Sequence, residues 1–91
     1  NQIVDIAAPT TFGNPAQLYD VAVDSQGAIW LTSSGSNALF RFDPVAETWS
    51  AVPLPQPASV PFGLVFGAHG AVWFTEGALN ANRIGVYQPG Q

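Results

Sequence analysis

Few side chains in this sequence could do chemistry, because its 91 residues include six acidic residues, two arginines, one histidine and no cysteine. The lack of cysteine excludes a disulfide and a thiolate zinc site. The sequence has no glycine-rich phosphate loop, no nucleophilic serine with histidine and aspartate partners, and no metal-ligand spacing. No cofactor is therefore expected, and the alternative is a magnesium or calcium ion near Glu76 or Asp20.

The charge balance argues against two classes of partner. The net charge is −4, lysine is absent, and the two arginines form no basic cluster. Nucleic acids and anionic membranes are bound through clustered lysine and arginine, so we expect neither partner. Charged residues are only 9% of the chain, whereas small domains usually carry about 25–35% on their surface. We expect other protein to cover much of this exterior; a secreted or exported bacterial protein is the alternative, and the location stays open.

Two nearly identical stretches must position these side chains. They are Gly27–Ser33, which reads Gly-Ala-Ile-Trp-Leu-Thr-Ser, and Gly70–Glu76, which reads Gly-Ala-Val-Trp-Phe-Thr-Glu. The chain is thus a duplication with a period of 43 residues, counted from Trp30 to Trp73. A period of about 40–45 residues is typical of four-stranded propeller blades. Both tryptophans are predicted to pack between blades.

The pattern within each repeat predicts strands and no helix. The first strands, Leu18–Asp24 and Pro61–Gly67, alternate with period 2. The second strands are almost continuously apolar, which indicates sheets covered on both faces. The glycines of the two turns that follow the first strands are expected to have positive φ. The other predicted strands are the second strands 28–32 and 71–75, the third strands 38–42 and 83–87, and the lead-in strands Gln2–Ala7 and 47–55.

These strands predict an all-β fold of two four-stranded β-propeller blade equivalents, in the chain order D-ABC-D-ABC. The whole chain, 1–91, is interpreted as a single two-blade unit, with repeat 1 at about 1–46 and repeat 2 at about 47–91. A two-sheet sandwich is less suitable, because its outward strand positions should alternate to polar residues.

The second repeat carries a resemblance to a known family. Pro61-Phe-Gly-Leu64, the stretch Gly70–Glu76 and Asn82-Arg-Ile-Gly85 resemble a blade of the streptogramin B lyase (virginiamycin B lyase) family, which is close to NHL-like and gluconolactonase-like propellers. The resemblance implies a propeller fold, and the family's lyases have seven blades. It also implies that glutamates such as Glu76 help to hold magnesium near a catalytic histidine.

The same resemblance leaves enzymatic activity uncertain and makes it the less favoured interpretation. The family's catalytic histidine positions are occupied here by Tyr19 and Phe62. His69 does not replace it, because His69 is predicted in a turn at the opposite end of the sheet. Without such a base, proton abstraction beside a scissile ester has no evident agent.

Two blades cannot close a propeller, which needs about four to eight. The ring must be completed either by missing blades or by oligomerisation. Addition of Gln2–Ala7 from one copy to the edge of Arg83–Tyr87 in the next would complete every blade. Such a head-to-tail contact must close as a cyclic homo-oligomer, for which a trimer with six blades is favoured and a tetramer with eight is next.

The favoured function is a non-enzymatic, self-assembling propeller module whose role is assembly or the binding of a small ligand on its loop face, the face that carries the loops between second and third strands. The alternatives are part of a streptogramin lyase-like or lactonase-like metal-dependent enzyme, and a lectin. Simpler structural interpretations remain open for the candidates: Glu76 could brace its loop, and Asp20 could bond to backbone. The candidate ligand-binding residues are Glu76, Tyr19, Phe62, Asn37, Asn80, Asn82 and Asp20.

Overall fold

The computed structural model describes residues 2–77 and 82–89. Its described part forms two antiparallel sheets and one short 3₁₀ turn at Ala68–Gly70. Blade 1 is the four-stranded sheet β1-β2-β3-β4, and blade 2 is the three-stranded sheet β5-β6-β7. The strands are β1 (Leu18–Val23), β2 (Ile29–Ser33), β3 (Ala38–Asp43), β4 (Thr48–Pro53), β5 (Pro61–Phe66), β6 (Val72–Glu76) and β7 (Arg83–Tyr87). No helix in the described residues is long and apolar enough to cross a membrane.

The all-β prediction is confirmed, and the duplicated sequence folds into duplicated backbone. Gly27 and Gly70 have φ values of +84° and +76° in the turns after the first strands. Each turn is closed in the same way: Asp24 N donates to Ala28 O at 2.9 Å, and Gly67 N donates to Ala71 O at 2.8 Å. A side chain at such φ values is disfavoured, so glycine is required for local geometry.

The predicted lead-in strand Gln2–Ala7 is not a strand in this chain. The segment is exposed and belongs to neither sheet. Its composition suits a strand, but a strand exists only where another edge supplies hydrogen bonds, and local propensity cannot supply one. The corresponding segment of repeat 2 does find an edge: β4 pairs with β3 from Ala38↔Pro53 to Asp43↔Thr48. Blade 1 therefore has four strands and blade 2 has three.

The core lies between the two blades, which pack face to face. Blade 1 contributes Trp30 and Leu39, and blade 2 contributes Leu64, Val72 and Phe74. The Trp30 side chain is only 2% exposed and its ring lies near those of Phe66 and Tyr87, at centroid distances of 6.3 and 6.1 Å. The predicted packing of Trp30 between blades is confirmed.

The prediction that both second strands are covered on both faces is wrong for β6. Trp73 is 40% exposed, and Thr75 on the same face is exposed as well. The reason is the position of the blade: no residue in 2–77 or 82–89 packs on the far side of blade 2, whereas the equivalent face of blade 1 is covered by blade 2.

Gly85 provides a test of how tightly blade 2 is packed. Gly85 pairs with Phe74 across β6 and β7, and a methyl group at Gly85 would overlap the Phe74 ring. We expect Gly85→Ala to lower the free energy of unfolding by about 1–3 kcal/mol, the usual cost of overpacking. Chemical denaturation followed by tryptophan fluorescence measures it. The matched control is Gly63→Ala, whose methyl group meets ordinary contacts of 3.6 Å or more; equal losses in both variants would contradict the explanation.

Candidate functional site

The strand register brings most candidate residues to one end of the sheets, here called the loop end. Pro61 at the start of β5 lies opposite Glu76 at the end of β6, and Glu76 lies opposite Arg83 at the start of β7. In blade 1, Leu18 lies opposite Ser33 at the same end. Tyr19 and Phe62 are therefore one residue inside this end.

Glu76 is engaged in an ion pair. Its side chain is only 7% exposed, and Oε1 lies 3.5 Å from Nη2 of Arg83. This contact fits the interpretation in which Glu76 braces the sheet end. A guanidinium beside the carboxylate also opposes a metal ion at the same oxygen. In the described residues no three His, Asp or Glu side chains gather to hold a metal ion, so the residues present do not fit the magnesium site that the resemblance implies.

Asp20 and Thr32 form a polar connection between the blades, here called the inter-blade latch. Asp20 Oδ2 accepts from Leu64 N of blade 2 at 2.8 Å, while Oδ1 accepts from Val21 N at 2.9 Å. Thr32 Oγ1 accepts from Asp20 N at 3.1 Å and donates to Phe62 O at 2.8 Å. Both carboxylate oxygens thus bond to backbone, which matches the structural interpretation of Asp20.

Asn37 ties the β2–β3 turn to the linker between the blades. Its Nδ2 donates to Gln56 O at 2.7 Å, and its Oδ1 accepts from Ser59 N at 2.9 Å. Both ends of the side-chain amide are therefore used within the fold. Asn82 is exposed beside the start of β7, with φ of +39°. Asn80 lies outside the described residues.

Tyr19 and Phe62 form an exposed aromatic pair at the loop end. Their ring centroids are 4.3 Å apart, with planes inclined by 48°. Tyr19 belongs to blade 1 and Phe62 to blade 2, so the pair lies at the junction between the blades at the loop end. Neither side chain offers the imidazole that serves as a general base in many active sites. What the pair can do is stack against a flat or apolar group.

His69 lies in the turn between β5 and β6. This turn is at one end of blade 2, and Glu76 is at the other end. The His69 carbonyl oxygen accepts from Gln88 Nε2 at 2.7 Å. The predicted separation of His69 from the loop end is confirmed, and His69 cannot act with Glu76.

Comparison with known proteins supports the propeller interpretation. No family model matches the chain, and no curated protein does. A solved streptogramin B lyase is 36% identical over 81% of this chain and 24% of its own length, with a TM-score of 0.73. The chain is similar to streptogramin B lyases. The resemblance found in the sequence is thereby confirmed, and the two sheets are lyase-like propeller blades.

Two further solved structures are similar in fold. Virginiamycin B lyase from Staphylococcus aureus is 24% identical over 90% of this chain and 29% of its own length, with a TM-score of 0.68. A catalytically inactive variant from the same organism, solved with quinupristin, is 23% identical over 78% of this chain and 26% of its own, with a TM-score of 0.62. The chain thus spans about a quarter of the length of these lyases.

Two residues with structural roles in these blades were missed in the sequence: Thr32, which bonds across the blade junction, and Asp24, which bonds within blade 1. Thr32 could have been noticed, because threonine follows Trp-Leu in one repeat and Trp-Phe in the other. Asp24 is the second, and the sequence pattern assigns it no role beyond the end of a predicted strand. Its Oδ1 accepts from Gln26 N and Ala28 N, and its Oδ2 accepts from the indole Nε1 of Trp30, all at 2.9 Å. Only its place just before a Ser-Gln-Gly turn hinted at such a role.

Asp24 lines a cleft of about 430 Å³ between the blades, whose other walls include Trp30, Phe66 and His69. Burial by itself raises the pKa of Asp24, but the hydrogen bonds from Trp30, Ala28 and Gln26 and the nearby Arg41 outweigh it and leave the pKa below its ordinary value. The Nε atom of Arg41 lies 3.8 Å from Oδ2. With both oxygens occupied, Asp24 serves the fold and is poorly placed to hold a ligand in this cleft.

The lowered pKa of Asp24 predicts a pH dependence of stability. Its contribution is complete above the unfolded-state pKa, near 3.8, and is lost as the pH falls through the lower folded-state pKa. Asp24→Asn should cost about 1–2 kcal/mol at neutral pH, since the amide nitrogen cannot accept from the Trp30 indole. The variant should then lose less stability than the unsubstituted chain between pH 5 and pH 2.

Denaturant unfolding at fixed protein concentration across that pH range measures the effect. Glu47→Gln is the charge-matched control, because Glu47 is exposed in the β3–β4 turn. It should keep the pH dependence of the unsubstituted chain. An Asp24→Asn variant with the same acid sensitivity as this control would show that Asp24 contributes nothing.

Proposed function

We propose that this chain is a non-enzymatic, two-blade propeller module that assembles with copies of itself into a closed ring. One observation carries the proposal: blade 1 has four strands, whereas blade 2 has three and its β7 edge is unpaired in the described residues. In the same chain Gln2–Ala7 is exposed and outside both sheets. The module lacks a strand at one place and has an unused strand-forming segment at another.

The missing strand can be supplied between copies. Gln2–Ala7 lies at the start of repeat 1 as β4 lies at the start of repeat 2, and β4 pairs with the third strand of blade 1. Gln2–Ala7 of one copy would pair in the same manner with β7 of the next. Strand addition satisfies the free N–H and C=O groups of an edge and removes an aggregation hazard. The segment is rich in β-branched residues, as such a strand requires.

This contact is head-to-tail, so it makes a filament unless it closes as a ring. Whole two-blade copies give six blades as a trimer or eight as a tetramer, within the usual propeller range of about four to eight. We favour the trimer and place the tetramer next.

The exposed Tyr19 and Phe62 pair, repeated at the mouth of such a ring, is the position that we assign to binding a small ligand.

Three observations support a role without catalysis. Tyr19 and Phe62 occupy the places where the resemblance puts a catalytic histidine. His69 lies at the opposite end, and Glu76 is paired with Arg83. The second candidate is part of a longer lyase-like or lactonase-like enzyme, favoured by the 36% identity to a streptogramin B lyase and by Glu76 in the matching motif. In that case other blades would supply the histidine.

The mass of the chain in solution tests the assembly. Light scattering coupled to size exclusion should give a single species of about three copies, each of 9.6 kDa; four copies would also support a closed ring. A folded monomer at micromolar concentration would overturn the proposal, and so would an open-ended series of sizes.

A pair of proline substitutions tests the strand addition itself. Neighbouring residues of a strand point their N–H groups to opposite sides, so Ile3→Pro with Val4→Pro must remove one donor facing β7. We expect this double variant to dissociate at concentrations where the unsubstituted chain stays assembled. The matched control is Ile3→Thr with Val4→Thr, which keeps both donors and β-branched side chains and should remain a ring.

A further inference from the structure

The far side of blade 2 is an apolar surface on which none of the described residues packs. Val65, Trp73 and Val86 lie side by side across β5, β6 and β7, and Thr75 lies beside Ile84. All five side chains are exposed, and Val65 and Ile84 are 62% and 70% exposed. We call these five residues the tail face. Val65, Trp73, Thr75 and Ile84 of the tail face border a hollow of about 370 Å³.

The tail face is the repeat equivalent of a surface that this chain already buries. In blade 1, Ala22, Trp30 and Arg41 lie side by side as Val65, Trp73 and Val86 do in blade 2, and Thr32 lies beside Leu39 as Thr75 does beside Ile84. Trp30, Thr32 and Leu39 are at most 2% exposed because blade 2 covers them. Identical strand positions with the same tryptophan and threonine are thus buried in one blade and exposed in the other.

The complementary surface is found on blade 1. The apolar residues by which β5 and β6 contact the core of blade 1 include Leu64, Phe66, Val72 and Phe74. Their equivalents in the first repeat are Val21, Val23, Ile29 and Leu31, which we call the head face. Val21 and Val23 are exposed. One chain therefore presents both halves of the blade contact, one at each end.

The hydrogen-bonding role of the threonine hydroxyl repeats as well. Thr75 Oγ1 accepts from Gly63 N at 3.0 Å, just as Thr32 Oγ1 accepts from Asp20 N at 3.1 Å. Thr32 also donates across the junction to Phe62 O at 2.8 Å. In the described residues Thr75 donates to no acceptor, and the repeat equivalent of Phe62 is Tyr19.

We propose that the tail face of one copy binds the head face of a second copy, in the geometry by which blade 1 binds blade 2 within the chain. In this junction the Thr75 hydroxyl donates to the Tyr19 carbonyl of the second copy. The inference rests on the proposed assembly and deepens it, because it names the surfaces that meet. The occupant is a second copy, since its head face is equivalent to the surface that already covers Trp30.

Asp20 favours a ring in which blade 1 and blade 2 alternate. Within the chain its Oδ2 accepts from Leu64 N. At the junction between copies the equivalent of Asp20 is Gly63, and the equivalent of Leu64 is Val21, whose N–H already bonds to its own Asp20. The Val21 N–H is therefore paired at this junction as well. A blade 2 placed directly on another blade 2 would leave Leu64 N without a carboxylate, a cost of about 1–3 kcal/mol for a buried group.

Two charge substitutions test which surfaces meet. Val65→Asp disables the tail face and leaves the head face intact, and Val21→Asp does the reverse. Each variant alone should run as a monomer of 9.6 kDa, because a ring needs both faces. An equal mixture should form a dimer and nothing larger, since one intact tail face and one intact head face remain.

The matched control is Val45→Asp, which places the same charge at a residue that is 93% exposed in the β3–β4 turn and should keep the ring. A dimer in the mixture also shows that both variants fold. The inference is wrong if either variant keeps the ring, if the mixture forms no dimer, or if Val21→Asp alone forms a two-copy species through paired tail faces. A monomeric unsubstituted chain would instead overturn the proposed assembly.

Thr75 provides a second test that adds no charge. Thr75→Val removes the donated hydrogen bond at every junction, and we expect the dissociation constant per junction to rise about 3–10-fold, as for one net hydrogen bond. Thr75→Ser keeps the hydroxyl and should retain most of the affinity. Dilution series followed by light scattering measure both. Equal affinities of the valine and serine variants would exclude this hydrogen bond from the junction.

Discussion

The burial of one blade's face against the next is the interaction on which the rest of this structure depends. Trp30 is at its centre, 2% exposed and flanked by Phe66 and Tyr87. A buried indole N–H without an acceptor would be costly. The Asp24 carboxylate accepts a hydrogen bond from it at 2.9 Å. The same carboxylate holds the β1–β2 turn through Gln26 N and Ala28 N. One acid thus connects the turn, the strand and the core.

Entry into the first strand of a blade imposes a backbone constraint that both repeats meet alike. Gln17 and Val60, just before the first strands, have positive φ values of 61° and 52°. Their carbonyl oxygens accept from Ser34 N at 3.2 Å and from Gly77 N at 2.9 Å. Positive φ is unfavourable for a β-branched residue such as Val60. Its occurrence at equivalent positions shows that the entry into the first strand, and not the side chain, determines the conformation.

The sequence was sufficient to predict the features of the fold that are local or periodic. Alternation in the first strands, the Gly27 and Gly70 turns and the 43-residue period predicted the strands of both blades, because side-chain direction and glycine conformation depend on near neighbours. The bonds of Asp20 to Leu64, of Asp24 to Trp30 and of Asn37 to the linker were not predictable, since these partners lie on other strands or in the linker. Gln2–Ala7 shows the same limit: propensity indicated a strand, but pairing depends on an edge that this chain does not offer to the segment.

The two repeats differ most in their charges, and this has a physical explanation. Asp20, Asp24 and Glu76 have Gly63, Gly67 and Ser33 as their repeat equivalents, so each carboxylate occurs in only one of the two blades. With carboxylates in both, neighbouring blades would bring like charges together, and the chain has only two arginines to compensate them. Arg41 pairs with Asp24 and Arg83 with Glu76. Because the repeats have diverged, Asp24 and Glu76 each have an arginine partner. Asp20 instead accepts hydrogen bonds from two backbone N–H groups. The divergence also means that any site built on these acids occurs once per chain and not once per blade.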